Sequence, residues 1–336
     1  MKLTLNDIKS ITNGAVRVTE ENGCFEFYRF TEEQEKMYET RSADFWRKTF
    51  STSGITLRFA TDSKTLKLDV CTEKSSSRLY YAFDLAVNGK VIDSLKNYDE
   101  SDLQKNYTTT PCLLGDASKT FELGDGDKEI TLYFPWSVRV KVKEISLDGG
   151  YIKPVKHSKK LLAFGDSITH GYDALHPSNK YITRIADVLG ADEYNKAIGG
   201  EVFVPELAEL RDDFTPNYIT VAYGTNDWSL KSQEEFTEKC EEFYTTLSKQ
   251  YPDSRIFAIT PIWRKDYTNP EKRFPFGCVA EHIEEICSKL DNVTVISGFD
   301  LVPEDENLFA DLRLHPNDDG FEYYFANLIR KLKVIL

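Results

Sequence analysis

Leu161-Leu162-Ala163-Phe164-Gly165-Asp166-Ser167 constrains the fold more than any other stretch of this 336-residue chain. Four consecutive apolar residues read as a buried strand, and the run stops at a glycine followed by an acid and a hydroxyl. Such a strand delivers the Ser167 hydroxyl to the carboxyl edge of a sheet, where open α/β sheets bind ligands. Alone, Gly-Asp-Ser is an ordinary turn. It becomes a candidate nucleophile only if the chain also supplies a base, an orienter for that base and donors for an oxyanion.

The segments that follow alternate between strand and helix patterns. Asn179 to Leu189 has helical spacing and stops at Gly190; Asp192 to Ala197 is a short strand, and Tyr218 to Tyr223 a near-continuous buried one. Ser232-Gln233-Glu234-Glu235 reads as a capping box opening a helix with Phe236, Cys240, Phe243 and Leu247 on one face. A strand over 255–262, a helix over 276–290, a strand over 293–296 and a helix over 321–336 complete the set. The alternation predicts a parallel sheet with helices on both faces.

Four short blocks fall at the ends of these strands. They are Gly165-Asp166-Ser167, Asn195-Lys196-Ala197-Ile198-Gly199-Gly200, Gly224-Thr225-Asn226-Asp227 and Asp311-Leu312-Arg313-Leu314-His315-Pro316-Asn317. Ser167 supplies the hydroxyl, and the His315 imidazole titrates near neutrality and can take its proton. A glycine in the second block lets a backbone N–H approach the reacting oxygen. With the Ser167 N–H and the Asn226 side-chain amide, that makes three donors for a tetrahedral intermediate.

These blocks, in this order, resemble the SGNH, or GDSL-type, hydrolase superfamily over residues 159–336. The resemblance implies an α/β, three-layer flavodoxin-like domain that hydrolyses esters or thioesters. Ser167, Gly200, Asn226 and His315 match the four signature positions, and the Asn-x-x-x-x-Gly phrasing selects Gly200 over Gly199. The family places its acid three residues before the histidine. Here that position is Leu312, and Asp311 lies one residue earlier. Either the loop is reshaped so that Asp311 reaches the imidazole, or a backbone carbonyl orients it and the site is a Ser-His dyad. The Gly-x-Ser-x-Gly elbow of α/β-hydrolases is absent around Ser167.

Residues 1–150 read as strands. Alternation appears at 25–30, 55–60, 65–70, 80–87, 129–134 and 138–145, and Asn88-Gly89 is a strong hairpin turn. Thr61-Asp62-Ser63-Lys64 has hairpin length, Gly115-Asp116 reads as a loop, and Gly124-Asp125-Gly126-Asp127 reads as a hairpin turn rather than a calcium loop. Short strands at even spacing predict an antiparallel β-sandwich or jelly roll. Leu147 to Pro154 marks the boundary, with 151–158 as linker and 159–336 as the catalytic domain. A sandwich before the hydrolase resembles carbohydrate esterases and some acyltransferases of the superfamily.

The net charge of −13 opposes binding to phosphate backbones or anionic membranes. The amino terminus lacks a signal-peptide pattern, no apolar run is long enough to span a bilayer, and the six cysteines are scattered without Cys-x-x-Cys pairs. A cytoplasmic protein with free thiols is expected, with no metal, no cofactor, no nucleic-acid partner and no membrane partner. Trp46 and Trp136 read as core residues, or as walls of the neighbouring domain's site. Trp228 and Trp263 either wall a pocket or pack against loops. His170 and His176 read as solvated loop residues, with lining the pocket as the lesser alternative, and His157 and His282 as linker and helix-surface residues. The expected activity is that of a serine esterase acting on a short acyl ester, an acetylated sugar among the candidates. An acyltransferase using the same site, or a carbohydrate-binding protein with an inert hydrolase half, are the competing readings. Oligomeric state is not legible in the sequence.

Overall fold

The computed structural model describes residues 1–104 and 106–336. The first half is built on two antiparallel sheets. One joins β1 (Thr12–Asn13), β4 (Thr56–Thr61), β6 (Ala82–Val87), β7 (Lys90–Lys96) and β9 (Lys128–Tyr133) in the order β1-β4-β9-β6-β7, with β11 (Lys153–Pro154) also pairing with β4. The other joins β2 (Arg17–Glu21), β3 (Cys24–Tyr28), β5 (Thr65–Lys74), β8 (Gly115–Glu122) and β10 (Val138–Leu147) in the order β2-β3-β10-β5-β8. Their inner faces share one core, with Leu57, Phe59, Phe83 and Leu132 from the first sheet against Phe27, Leu68, Val70 and Val140 from the second. That is the sandwich the alternation implies.

Two turns have a different role from the expected one. Thr61–Lys64 and Gly124–Asp127 do not close hairpins, because β4 and β5 lie in different sheets, as do β8 and β9. Both segments carry the chain across the sandwich; Lys64 in one pairs with Asp125 in the other. Gly115-Asp116 is not a loop but the start of β8. Asn88-Gly89 does close the β6–β7 hairpin, with positive φ at both residues (50° and 79°) as a tight two-residue turn requires.

The first half is not all strand. It also holds α1 (Leu5–Ile11), α2 (Glu32–Arg41) and α3 (Ala43–Thr49). Thr4 and Thr31 each form a reciprocal capping box, with Asp7 and Gln34, and the Ser42 side chain caps α3. The helices α2 and α3 leave the sandwich and lie against the second half. Phe30 and Tyr38 belong to the same core as Leu162, Phe164 and Val221 of the parallel sheet, and Phe45 and Trp46 pack on its margin.

That sheet contains β12 (Lys159–Gly165), β13 (Ala191–Asn195), β14 (Tyr218–Ala222), β15 (Arg255–Ile259) and β16 (Val293–Ile296), all parallel, in the order β13-β12-β14-β15-β16. This is the flavodoxin-like order, and its switch point lies at β12, whose neighbours on the two sides are reached by crossovers of opposite direction. Around it lie α4 (Ser167–His170), α5 (Tyr181–Leu189), α6 (Pro205–Glu209), α7 (Thr225–Leu230), α8 (Gln233–Gln250), α9 (Gly277–Cys287) and α10 (Asp318–Ile335). Among the described residues no helix is long and apolar enough to cross a membrane.

The two halves are joined by buried polar contacts. His176, read as a solvated loop residue, is half-buried and paired. Its Nδ1 lies 2.7 Å from Asp84 Oδ1 of the sandwich, with Glu100 at 3.3 Å from Nε2. The Asp84 hydrogen bond raises its pKa to about 9 against the opposing effect of burial, with the charge of Asp318 adding to the rise. A histidine raised in this way contributes stability that is complete below about pH 6.5 and is lost as the pH rises through about 9. The thermal midpoint is therefore expected to fall across that window, and His176→Gln is expected to flatten the slope when midpoints are measured at closely spaced pH values.

Candidate active site

The strand β12 ends at Gly165, and the chain turns at once into α4. Asp166 caps the helix, its Oδ1 accepting the Ile168 N–H at 2.9 Å. The turn is tight, since a Cβ on Gly165 would lie 2.4 Å from Thr169 Oγ1. It leaves Ser167 at the first helical position, 4% exposed, where the backbone N–H has no intrahelical acceptor.

His315 reaches this serine from the segment before α10. Its Nε2 lies 2.8 Å from Ser167 Oγ, and its Nδ1 lies 2.8 Å from Asp311 Oδ2. A carboxylate only accepts, so Nδ1 carries the proton and Nε2 faces the hydroxyl as an acceptor. Asp311 covers the extra residue of spacing by a local device. Leu312 takes the left-handed conformation (φ 56°), curling the loop so that Asp311 Oδ1 accepts the N–H groups of Arg313, Leu314 and His315 at 3.0, 2.7 and 3.1 Å. Burial works to raise the Asp311 pKa, but the His315 hydrogen bond and charge, with these amides, hold it well below the usual carboxylate range.

The second block arrives beside the same turn. Ile198 N–H donates to the Gly165 carbonyl at 3.1 Å. The two glycines that follow are not equivalent. Gly199 N–H is taken by His170 Nδ1 at 3.1 Å and its carbonyl by Lys48 Nζ at 2.8 Å, and a Cβ on Gly199 would lie 2.4 Å from the Tyr172 ring. Gly200 has φ 91°, and among the described residues its N–H has no acceptor. Asn226, at the start of α7, donates from Nδ2 to the Glu201 carbonyl at 2.9 Å, which ties the third block to the loop that carries Gly200. Asp227 Oδ1 accepts the Phe203 N–H at 3.1 Å. Burial raises the pKa of Asp227 to about 7 and that of Asp166 to about 6, the amide N–H groups they accept opposing the rise.

His170 is fully buried, contrary to the sequence expectation. Its Nε2 faces Ser51 Oγ at 2.8 Å and the Trp136 carbonyl at 3.0 Å, and burial drives its pKa well below the ordinary value. It is a neutral brace between the sandwich and the Gly199 turn. Trp136 leaves the sandwich core and packs on Tyr172 (4.9 Å between ring centres), with Nε1 donating to Ala174 O. Tyr172 in turn faces the His315 ring at 5.8 Å. Trp228 is buried with Nε1 on the Phe274 carbonyl, and Trp263 packs on Phe309.

Several residues at the site had no sequence signal. Phe45 of α3 lies against Gly200, 3.5 Å from where a Cβ would sit. Arg41 of α2 pairs with the buried Glu201 carboxylate at 2.9 and 3.2 Å. Asp173 (φ 70°, fully buried) has Oδ2 3.5 Å from His315 Nδ1. Asp173, Asp311 and His315 thus hold their ligand atoms within 4.8 Å of one another. Both Asp173 oxygens are taken by the Arg78 guanidinium, Nε to Oδ1 at 2.6 Å and Nη2 to Oδ2 at 3.0 Å, a positive charge that a metal ion there would have to displace.

A flavodoxin-like sheet with a serine-histidine pair at its switch point is the arrangement of the SGNH hydrolases. Residues 163–323 match the model of the GDSL-like lipase/acylhydrolase family, which supports a carboxylic ester hydrolase. No curated protein matches the chain. Among solved structures it is similar to the salicylyl-acyltransferase SsfX3 from a tetracycline biosynthetic pathway (TM-score 0.80, 19% identity, 96% of this chain and 94% of that one). It is also similar to a putative GDSL-like lipase from Bacteroides ovatus (0.77, 19%, 100% and 97%). A third similar structure is an acetyl xylan esterase from the rumen bacterium Butyrivibrio proteoclasticus (0.64, 17%, 99% and 97%). These likenesses extend over both halves and concern the fold.

Proposed function

We propose that the protein is a serine esterase that removes a short acyl group, with acetyl on a carbohydrate as the leading substrate class. In this reading Ser167 attacks the ester carbonyl and His315 takes its proton. Asp311 holds the imidazole in the productive tautomer and stabilises the imidazolium. The Ser167 and Gly200 N–H groups and the Asn226 amide receive the developing oxyanion. His315 then protonates the leaving alcohol, and water resolves the acyl-enzyme. The chain divides at 151–158 into a sandwich and this catalytic domain. The observation that carries the reading is the unbroken line from Ser167 Oγ through His315 to Asp311, each contact 2.8 Å. The likeness to a carbohydrate esterase in both halves supports the choice of substrate. The six free cysteines support a reducing compartment such as the cytoplasm.

The likeness to an acyltransferase over 96% of the chain favours a second reading, in which an alcohol acceptor replaces water. A pre-steady-state assay with 4-nitrophenyl acetate tests the first. The wild type is expected to release one equivalent of nitrophenol per site in a burst, and Ser167→Ala none. Adding sugar alcohols and analysing products separates the two readings: free acetate supports hydrolysis, and acetylated acceptor supports transfer. A wild type without a burst that still binds sugar would overturn both.

A further inference from the structure

Asp173 is a buried carboxylate beside the base that the proposed mechanism leaves unused. It follows α4 in a left-handed conformation that few non-glycine residues adopt, with its carbonyl held by the Tyr107 hydroxyl at 2.6 Å. Its carboxylate is aimed at the Nδ1 side of His315, the side Asp311 also occupies. Its anchors come from the sandwich half: the two-pronged Arg78 guanidinium and the Tyr80 hydroxyl. Arg78 also lies over the Tyr172 ring, whose plane is tilted only 30° from that of His315.

We propose that Asp173 is a positioning residue for the base, a second carboxylate held on His315 by Arg78 and Tyr80, through which the sandwich sets the orientation and proton affinity of the imidazole. The proposal rests on the reading of His315 as the base. The physical case is electrostatic. A negative group 3.5 Å from Nδ1, itself fully buried, favours the imidazolium that forms when Ser167 attacks. Arg78 behind it offsets part of that charge, so the pair acts as a tunable dipole rather than a full anion. The other ionisable groups facing the ring are Asp311 on its own segment, Asp166 at the entrance to α4 and the Tyr172 phenol. Should Asp311 lose its charge, Asp173 is the carboxylate left within reach.

The experiment is the pH profile of kcat/KM for 4-nitrophenyl acetate in the full-length protein. Asp173→Asn keeps the shape and removes the charge, and is expected to move the acid limb down by about one pH unit. Arg78→Met removes the offsetting cation and is expected to move the same limb up. Arg78→Lys keeps the charge and is expected to leave the limb near the wild-type position. Misfolding lowers the rate without moving the limb in opposite directions. Asp311→Asn is expected to retain roughly tenfold more activity than Asp311→Asn combined with Asp173→Asn. Unmoved limbs in both Asp173→Asn and Arg78→Met, with Ser167→Ala inactive, would overturn this role for Asp173 alone. An active Ser167→Ala would instead overturn the esterase reading beneath it.

Discussion

Ser167→Ala, His315→Ala and the double variant are each expected to lose about 10³- to 10⁶-fold in kcat and to arrive at the same residual rate. The equality is the informative part. A hydroxyl 2.8 Å from an imidazole acts as a nucleophile only while the imidazole can take its proton, and the imidazole has nothing to deprotonate once the hydroxyl is gone. Effects of groups that work as one unit do not add. The residual rate belongs to what both variants keep, namely the Gly200 and residue-167 amides, Asn226 and the binding surface. Steady-state kinetics of the three variants on 4-nitrophenyl acetate, each checked for folding by circular dichroism, reads this out. Additive losses would mean that the two residues act in separate steps, and the proposed mechanism would fail.

What the sequence conveyed about this site was its backbone, and what it withheld was mostly the partner half. The blocks at 165–167, 195–200 and 224–227 were legible because each follows a strand of one parallel sheet, and strand order brings such ends together, whereas 311–317 follows no strand and reaches the site from the segment before α10. Whether Asp311 could reach His315 was not legible. The answer depends on Leu312 entering a conformation that a leucine rarely adopts and that no pattern of residues announces. The helices α2 and α3 did leave a mark in Thr31-Glu32-Glu33-Gln34, a capping-box spelling, but it sat among alternating strand patterns that dominated the reading. His170 could not be placed from its own neighbourhood. Its partners are Ser51, Trp136 and Gly199, far from it along the chain, and nothing local distinguishes a buried neutral histidine from an exposed one. The two crossovers read as hairpins fail for a related reason, since a four-residue polar turn fits either connection and only sheet membership decides.

Arg29→Met is expected to destabilise the protein by about 3–5 kcal/mol, the largest effect on stability of any single substitution considered. Arg29 is 1% exposed, and among the described residues no carboxylate bonds its guanidinium. Its nitrogens donate instead to the carbonyls of Ser51, Lys48, Asn195 and Ala197, at 2.7, 3.0, 2.6 and 3.2 Å, and to Ser51 Oγ at 2.7 Å. Two of these carbonyls lie in the sandwich half beside α3, and two lie on the strand end that leads to Gly199 and Gly200. One side chain thus clamps the loop that carries Gly199 and Gly200 to the neighbouring half. Methionine fills a similar volume, so little of the loss comes from a cavity. The loss comes from buried carbonyls left without donors, each costing about 1–3 kcal/mol where no other partner replaces it. Lysine should not restore the clamp, because a single ammonium has three donors radiating from one point and cannot span the two halves as a planar fork does. Chemical denaturation of Arg29→Met and Arg29→Lys measures the loss directly, and activity at temperatures below the onset of unfolding measures how far the Gly200 amide depends on the clamp. A midpoint unchanged in both variants would mean that the two halves are held together without it.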